Sequence, residues 1–114
     1  MLGKENRLKN KKDFDRVFKK GKGFKQDFLF LKLIKNNLEM NRFGFIVSQK
    51  ISKKAVLRNK IKRRLRESVR KKLEKLKQGY DIVFLPSPDI REKNFKEIDQ
   101  LINKILTKTK LLIK

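Results

Sequence analysis

Residues 53–67 read KKAVLRNKIKRRLRE, and the fold turns on how this stretch is read. Lys and Arg fill more than half of it, and Glu67 is its one acid. Val56, Leu57, Ile61 and Leu65 nevertheless recur at helical spacing. With Leu57 at zero and about 100° per residue, Leu57, Ile61, Leu65 and Val69 fall at roughly 0, 40, 80 and 120°. That slow drift suits a helix lying obliquely across a sheet. Asn59, Arg63, Arg66 and Arg70 fall at about 180–240°, on the opposite side. Lys62 sits on one flank, and Lys60 and Arg64 on the other.

A helix face turned to solvent usually mixes Glu with Lys, because opposite charges one turn apart attract and like charges repel. This face is nearly all cationic, so it reads as a surface for a polyanion. Arg carries a planar fork that grips phosphate with two hydrogen bonds. Asn59 both donates and accepts, which fits a sugar or base edge. A membrane-surface helix would expose bulky apolar residues beside its basic flank; here the apolar stripe is needed to close a core.

The whole chain repeats this bias. Its 114 residues carry a formal net charge of +22, with 34 Lys and Arg against 12 Asp and Glu. Charge on that scale repels itself and calls for a polyanionic partner, nucleic acid before membrane. The length suits one domain, residues 1–114, with a basic arm over 1–9 and a tail over 107–114 free to fray. There is no Cys and no His. That excludes disulfides and thiolate zinc sites and removes the commonest general base. The acids are scattered singly among basic residues, so no catalytic residue and no protein-bound metal is assigned. No segment approaches the roughly 18 apolar residues of a membrane span. The start, MLGKENRLKN, lacks the apolar run of a secretory signal. A soluble cytoplasmic protein is expected.

Along the chain, Asn10 and Asp13 mark a helix start, and Phe14, Val17 and Phe18 give it one apolar face. Gly21 and Gly23 end it. Residues 28–35 and 42–48 read as strands joined closely enough to pair antiparallel, with Gly44 marking a bulge or a close backbone approach. The basic helix runs from about Ala55 to Gln78, stopped by Gly79. Residues 80–86 form a strand ended by Pro86. A last helix from about Glu92 carries Phe95, Ile98, Leu101, Ile102, Ile105 and Leu106 on one face. The order is α-β-β-α-β-α, an α+β two-layer sandwich whose early strand is open to splitting in two.

Arg58-Asn59-Lys60-Ile61-Lys62-Arg63-Arg64-Leu65-Arg66-Glu67, led in by Val47-Ser48-Gln49-Lys50 and Lys54-Ala55-Val56, resembles the signature of the bacterial ribonuclease P protein component. Arg7-Leu8, Asp13-Phe14, Val17-Phe18, Gly21 and Phe28 fit the same family, over roughly residues 6–85. The resemblance implies a protein subunit bound to ribonuclease P RNA, which removes the 5′ leader of precursor tRNA. It implies that the RNA, with magnesium ions, performs the chemistry, and that the protein alone is inactive. By carry-over, Arg58, Asn59, Lys62, Arg63 and Arg66 face the catalytic RNA, and Arg70 continues their face. Phe14, Phe18, Leu31 and Lys50 belong to a cleft for the single-stranded leader, where rings stack on bases of any identity. Arg7, Lys53, Lys54 and Lys60 are further RNA contacts. The family fold also implies a left-handed crossover from residues 42–48 through the basic helix to residues 80–85.

The sequence departs from the family at three places. Leu31 stands where the cleft has a third aromatic. Residues 52–54 run one residue long, with Ser52 at the usual Gly. Leu85-Pro86-Ser87 replaces a basic residue after the last strand. Three other readings compete. A ribosomal protein or RNA chaperone shares the charge and size but not the 47–67 motif. A DNA-binding module would need its apolar stripe covered and shows no helix-turn-helix pattern. A protein-only nuclease would need at least two convergent carboxylates or a His, and Asp13, Asp27 and Asp81 are not expected to converge.

Overall fold

The computed structural model describes residues 3–112. Helix α1 spans Lys11–Lys20, and strands β1 and β2 span Lys22–Gln26 and Leu29–Lys35. Strand β3, Arg42–Phe45, leads into α2, Ala55–Arg70. Strand β4, Tyr80–Pro86, leads into α3, Phe95–Lys108. The α+β class holds, and the early strand is divided: β1 and β2 form a hairpin turning at Asp27, whose φ is 49°.

The four strands lie in the order β1-β2-β4-β3. This corrects the expectation that β2 and β3 pair. Strand β4 is antiparallel to β2 and parallel to β3, so α2 carries the chain between parallel neighbours. The side chains of the loop after β2 explain the arrangement. Asn41 accepts from the Tyr80 amide at 2.8 Å and donates to the Lys77 carbonyl at 2.8 Å, while Asn36 donates to Asp81 at 2.9 Å. The loop is bonded to the start of β4 rather than folded into a tight hairpin.

Strand alternation divides the side chains between two faces. Leu29, Leu31, Phe43, Ile82 and Phe84 join Ile61, Leu65 and Val69 of α2 and Ile98, Ile102 and Ile105 of α3 in the main core. On the opposite face, Val17 of α1 packs with Leu8 and Val83, flanked by Phe14, Phe18, Ile34, Ile46 and Leu85. The main core is thus a helix layer on a sheet, and α1 lies across the sheet's other side.

The drifting stripe of α2 is dry as expected, with Ile61, Leu65 and Val69 essentially inaccessible and Leu57 half-buried. Val56 departs from it: it is 82% exposed, at the open start of the helix. Burying each of the three inner residues stabilises by ~1.5–3 kcal/mol. A like-charge pair one turn apart costs ~0.2–0.5 kcal/mol. Burial therefore outweighs self-repulsion, and the basic segment is helical.

This helix ends at Arg70, earlier than Gln78, because Lys72 turns inward. Its buried ammonium donates to the Ser68 carbonyl and hydroxyl, both at 3.0 Å, and to Asp99 of α3. Leu76 is then buried and bridges to Leu112, so the spacing of Leu73 and Leu76 marks packing beyond the helix. Gly79, at φ 97°, makes the turn into β4. The last helix starts at Phe95 rather than Glu92, because Asn94 caps it. Asn94 Oδ1 accepts from the Glu97 amide at 2.9 Å, and Glu97 Oε1 accepts from the Asn94 amide at 3.0 Å. Past this helix Leu111 is buried and its carbonyl accepts from the Lys77 amide at 2.8 Å. Residues 1–2 of the basic arm and 113–114 of the tail lie outside the described residues.

Candidate nucleic-acid interface

Two surfaces carry the residues singled out in the sequence. The first is the side of α2 turned from the core. Asn59, Lys60 and Arg63 are exposed there, and Lys62 is half-buried beside them. Arg58 donates through Nη1 to the Ser52 carbonyl at 2.9 Å, and the Ser52 hydroxyl accepts from the Lys54 amide at 3.1 Å. The 52–54 loop is thereby fastened to the first turn of α2, and Lys53 and Lys54 project from it exposed. Arg66 is half-buried; burial first, and the charge of Arg7 second, hold its guanidinium below the usual arginine value. Arg70 is bonded to Glu67 on its own helix, which raises its pKa. Of the face, Arg70 is the cation already neutralised by a neighbour. Arg64 serves structure: its Nη1 donates to the Lys93 carbonyl at 3.1 Å, joining α2 to the segment before α3.

The second surface lies between α1 and the sheet. Phe14 and Phe18 are half-buried there, one turn apart. The Phe14 ring covers Gly44 so closely that a Cβ added at that glycine would sit 2.4 Å from it. Gly44 is thus a close-approach glycine, one of the two roles the sequence allowed. The N-terminal arm borders this surface, since the Leu8 amide donates to the Phe43 carbonyl at 2.8 Å. Lys50 is exposed in a turn beyond β3, where the Ile51 amide donates to the Ser48 carbonyl at 3.1 Å.

Leu31 does not join these residues. It faces the main core on the other side of the sheet and is fully buried. Its neighbours Phe30 and Lys32 occupy the α1 side instead. Lys32 Nζ donates to the Phe18 carbonyl at 2.7 Å, at the last turn of α1. Phe30 is half-buried, and its ring approaches Gly23 so that an added Cβ would meet it at 3.0 Å. A cavity of about 280 Å³ lined by Lys25, Phe30, Leu85 and Ser87 lies alongside. The strand period of two carries this assignment: Phe30 is opposite Leu85, which shares the α1 face with Val83.

Sequence reasoning also passed over an ion network at this surface. Asp13 and Asp81 both contact Arg42, at 3.3 and 2.7 Å, and Asp81 also binds Arg16 at 3.1 Å. A lone acid inside the hydrophobic run YDIVFLP was its sequence signal. Asp13 and Asp81 thus do come together, against expectation, but around arginine, with which both are ion-paired, and Asp27 stands apart at the β1–β2 turn. Among the described residues no group of three or more His, Cys, Asp or Glu is placed to hold a metal ion, and no helix is long and apolar enough to cross a membrane.

Comparison with known proteins bears on the family and the fold. The ribonuclease P family model matches residues 2–110. The ribonuclease P protein component of Alkaliphilus metalliredigens is 38% identical over 107 residues, covering 94% of this chain and 96% of that protein. The Staphylococcus aureus RNase P protein superposes with a TM-score of 0.87 at 28% identity, over 94% of this chain and 97% of that one. For the Thermotoga maritima RNase P protein the TM-score is 0.82 at 29% identity, over 90% and 96% of the two chains.

Proposed function

Because the chain belongs to the family of ribonuclease P protein components, we propose that it works as the RNA-binding subunit of that ribonucleoprotein, with α2 on the ribonuclease P RNA and the α1 cleft on the 5′ leader of precursor tRNA. The observation that carries this is the division of α2 into a dry face and a cationic face. Arg58, Asn59, Lys60, Lys62, Arg63 and Arg66 lie outside the core, and one acid, Glu67, is interspersed and bonded to Arg70. Lys53 and Lys54 extend the same surface from the loop.

Catalysis is assigned to the RNA. The chain offers no imidazole or thiol, and its clustered carboxylates Asp13 and Asp81 are engaged by arginines. Magnesium, which supplies Lewis-acid and nucleophile-activating chemistry to such a reaction, would be held by RNA; among the described residues of the protein no group of three or more His, Cys, Asp or Glu is placed to hold it. The protein's own part is to bind and orient. Arginine forks grip phosphates, and the rings of Phe14, Phe18 and Phe30 give an unpaired strand surfaces on which to stack. Lys32 and Lys50 add charge for its backbone. Such a role places the protein in the cytoplasm, with the precursor tRNA.

The test is cleavage of a precursor tRNA at low magnesium by a bacterial ribonuclease P RNA, with and without the protein. Stimulated release of the leader, absent with protein alone, is expected. RNA binding without stimulation would shift the reading to a ribosomal or chaperone role.

A further inference from the structure

Asp81 is the only acid in β4, and its carboxylate is wholly buried. It accepts four hydrogen bonds. Oδ1 accepts from Asn36 Nδ2 at 2.9 Å and Arg42 Nε at 2.8 Å; Oδ2 accepts from Arg42 Nη2 at 2.7 Å and Arg16 Nη2 at 3.1 Å. Arg42 Nη1 reaches on to Asp13 at 3.3 Å, and Arg16 Nη1 to the Lys35 carbonyl at 3.1 Å. Arg42 and Asp81 are register partners at the start of the two parallel strands. Asp13 and Arg16 belong to α1. Two acids and two guanidiniums thus bind the helix to the sheet.

Their place around α1 gives the network its meaning. Val17, fully buried on Val83, marks the line of contact with the sheet. At about 100° per residue, Asp13 and Arg16 lie roughly 40 and 100° to one side of Val17, and Phe14 and Phe18 roughly 60 and 100° to the other. A ten-residue helix resting on one line of contact is free to roll about its own axis unless its flanks are held. On the aromatic flank the Phe14 ring rests on Gly44 and Lys32 holds the Phe18 carbonyl, and the apolar contact itself is non-directional. A bidentate arginine–carboxylate pair fixes an angle.

We propose that Asp81, acting through Arg16, is a positioning residue that sets the roll of α1 and so the angle at which Phe14 and Phe18 face the leader. This rests on the leader-cleft reading above. Neither residue touches the leader; each acts through the rings on the opposite flank.

The experiment uses Arg16→Gln. Arg16 is about a third exposed, and without it Asp81 still accepts from Arg42 and Asn36, so the variant folds. Asp81→Asn, which keeps the shape and removes the charge, is the second variant. Each is labelled with fluorophenylalanine, with Phe14 and Phe18 assigned by substitution, and each is assembled with ribonuclease P RNA. The expected result is displaced fluorine resonances for Phe14 and Phe18, with the other seven Phe little changed. The preference of the assembled particle for precursor over mature tRNA falls about tenfold, while affinity for the catalytic RNA holds. Adding Phe18→Ala to Arg16→Gln then costs less than Phe18→Ala does alone, because Arg16 acts in part through that ring. Unmoved resonances in a folded Arg16→Gln protein would overturn the positioning role. Moved resonances with an intact preference for the precursor would overturn the cleft reading beneath it.

Discussion

At the scale of single residues, space and charge decide different things. Gly44 is needed for space: with a Cβ only 2.4 Å from the Phe14 ring, alanine would force that ring to shift. Gly44→Ala is expected to destabilise by ~1–3 kcal/mol, the usual cost of overpacking, read as a lower urea midpoint at unchanged slope. Arg66 is needed for charge. Its side chain lies outside the core, with Arg7 nearby, so Arg66→Ala is expected to lower affinity for the catalytic RNA roughly tenfold with an unaltered circular dichroism spectrum. A loss of helical signal would place Arg66 in the packing instead. The two substitutions separate cleanly because one residue faces α1 and the other faces outward from α2.

Among elements, the joint between α2 and α3 is the polar one. Lys72 is buried at the end of α2 and bonded to Asp99, with Ser68 donating to the same carboxylate oxygen at 2.6 Å. Burial pushes the Asp99 pKa up, but the bonds from Lys72 and Ser68 outweigh it and leave the carboxyl below its ordinary value of 3.8. A depressed acid stabilises the fold above its unfolded pKa and loses that contribution as pH falls through the folded one. Acid unfolding is therefore expected to be steeper below about pH 4 in the native chain than in Asp99→Asn. Asp99→Ala, which leaves a buried ammonium unpaired, is expected to cost ~3 kcal/mol by thermal or urea unfolding. This joint also marks the limit of reading elements from sequence. The dry stripe of α2 was legible because it follows a single period, and the strand at 80–86 because it is a short apolar run closed by Pro86. Lys72 looked like one more cation in a basic helix, and nothing local says that it points inward to a residue 27 positions away. Leu31 was misplaced for a related reason. Phe30 and Leu31 are both bulky, and the choice of face depends on β4, which the sequence could not pair in advance. Asp81 was visible as an acid in an apolar strand, but its partners Arg16, Asn36 and Arg42 come from three separate segments.

For the whole molecule, the charge of +22 sets the behaviour. Binding to the catalytic RNA is expected to weaken steeply with salt, with a log–log slope of about −4 to −6 if five to seven phosphates are met. A nearly flat dependence measured by filter binding would count against α2 as a phosphate-binding face. The strand order β1-β2-β4-β3 has a consequence of another kind. On the ribosome, residues 3–79 emerge with β2 and β3 separated by an empty slot, and neither has a partner on that side until β4 is made. Arg42 waits for Asp81 as well. The sheet therefore closes late, over long sequence separations that slow folding, and the cationic helix is exposed in the nascent chain before its apolar face has a finished sheet to cover. A chain truncated before Tyr80 is expected to stay unfolded, not to form half of the domain.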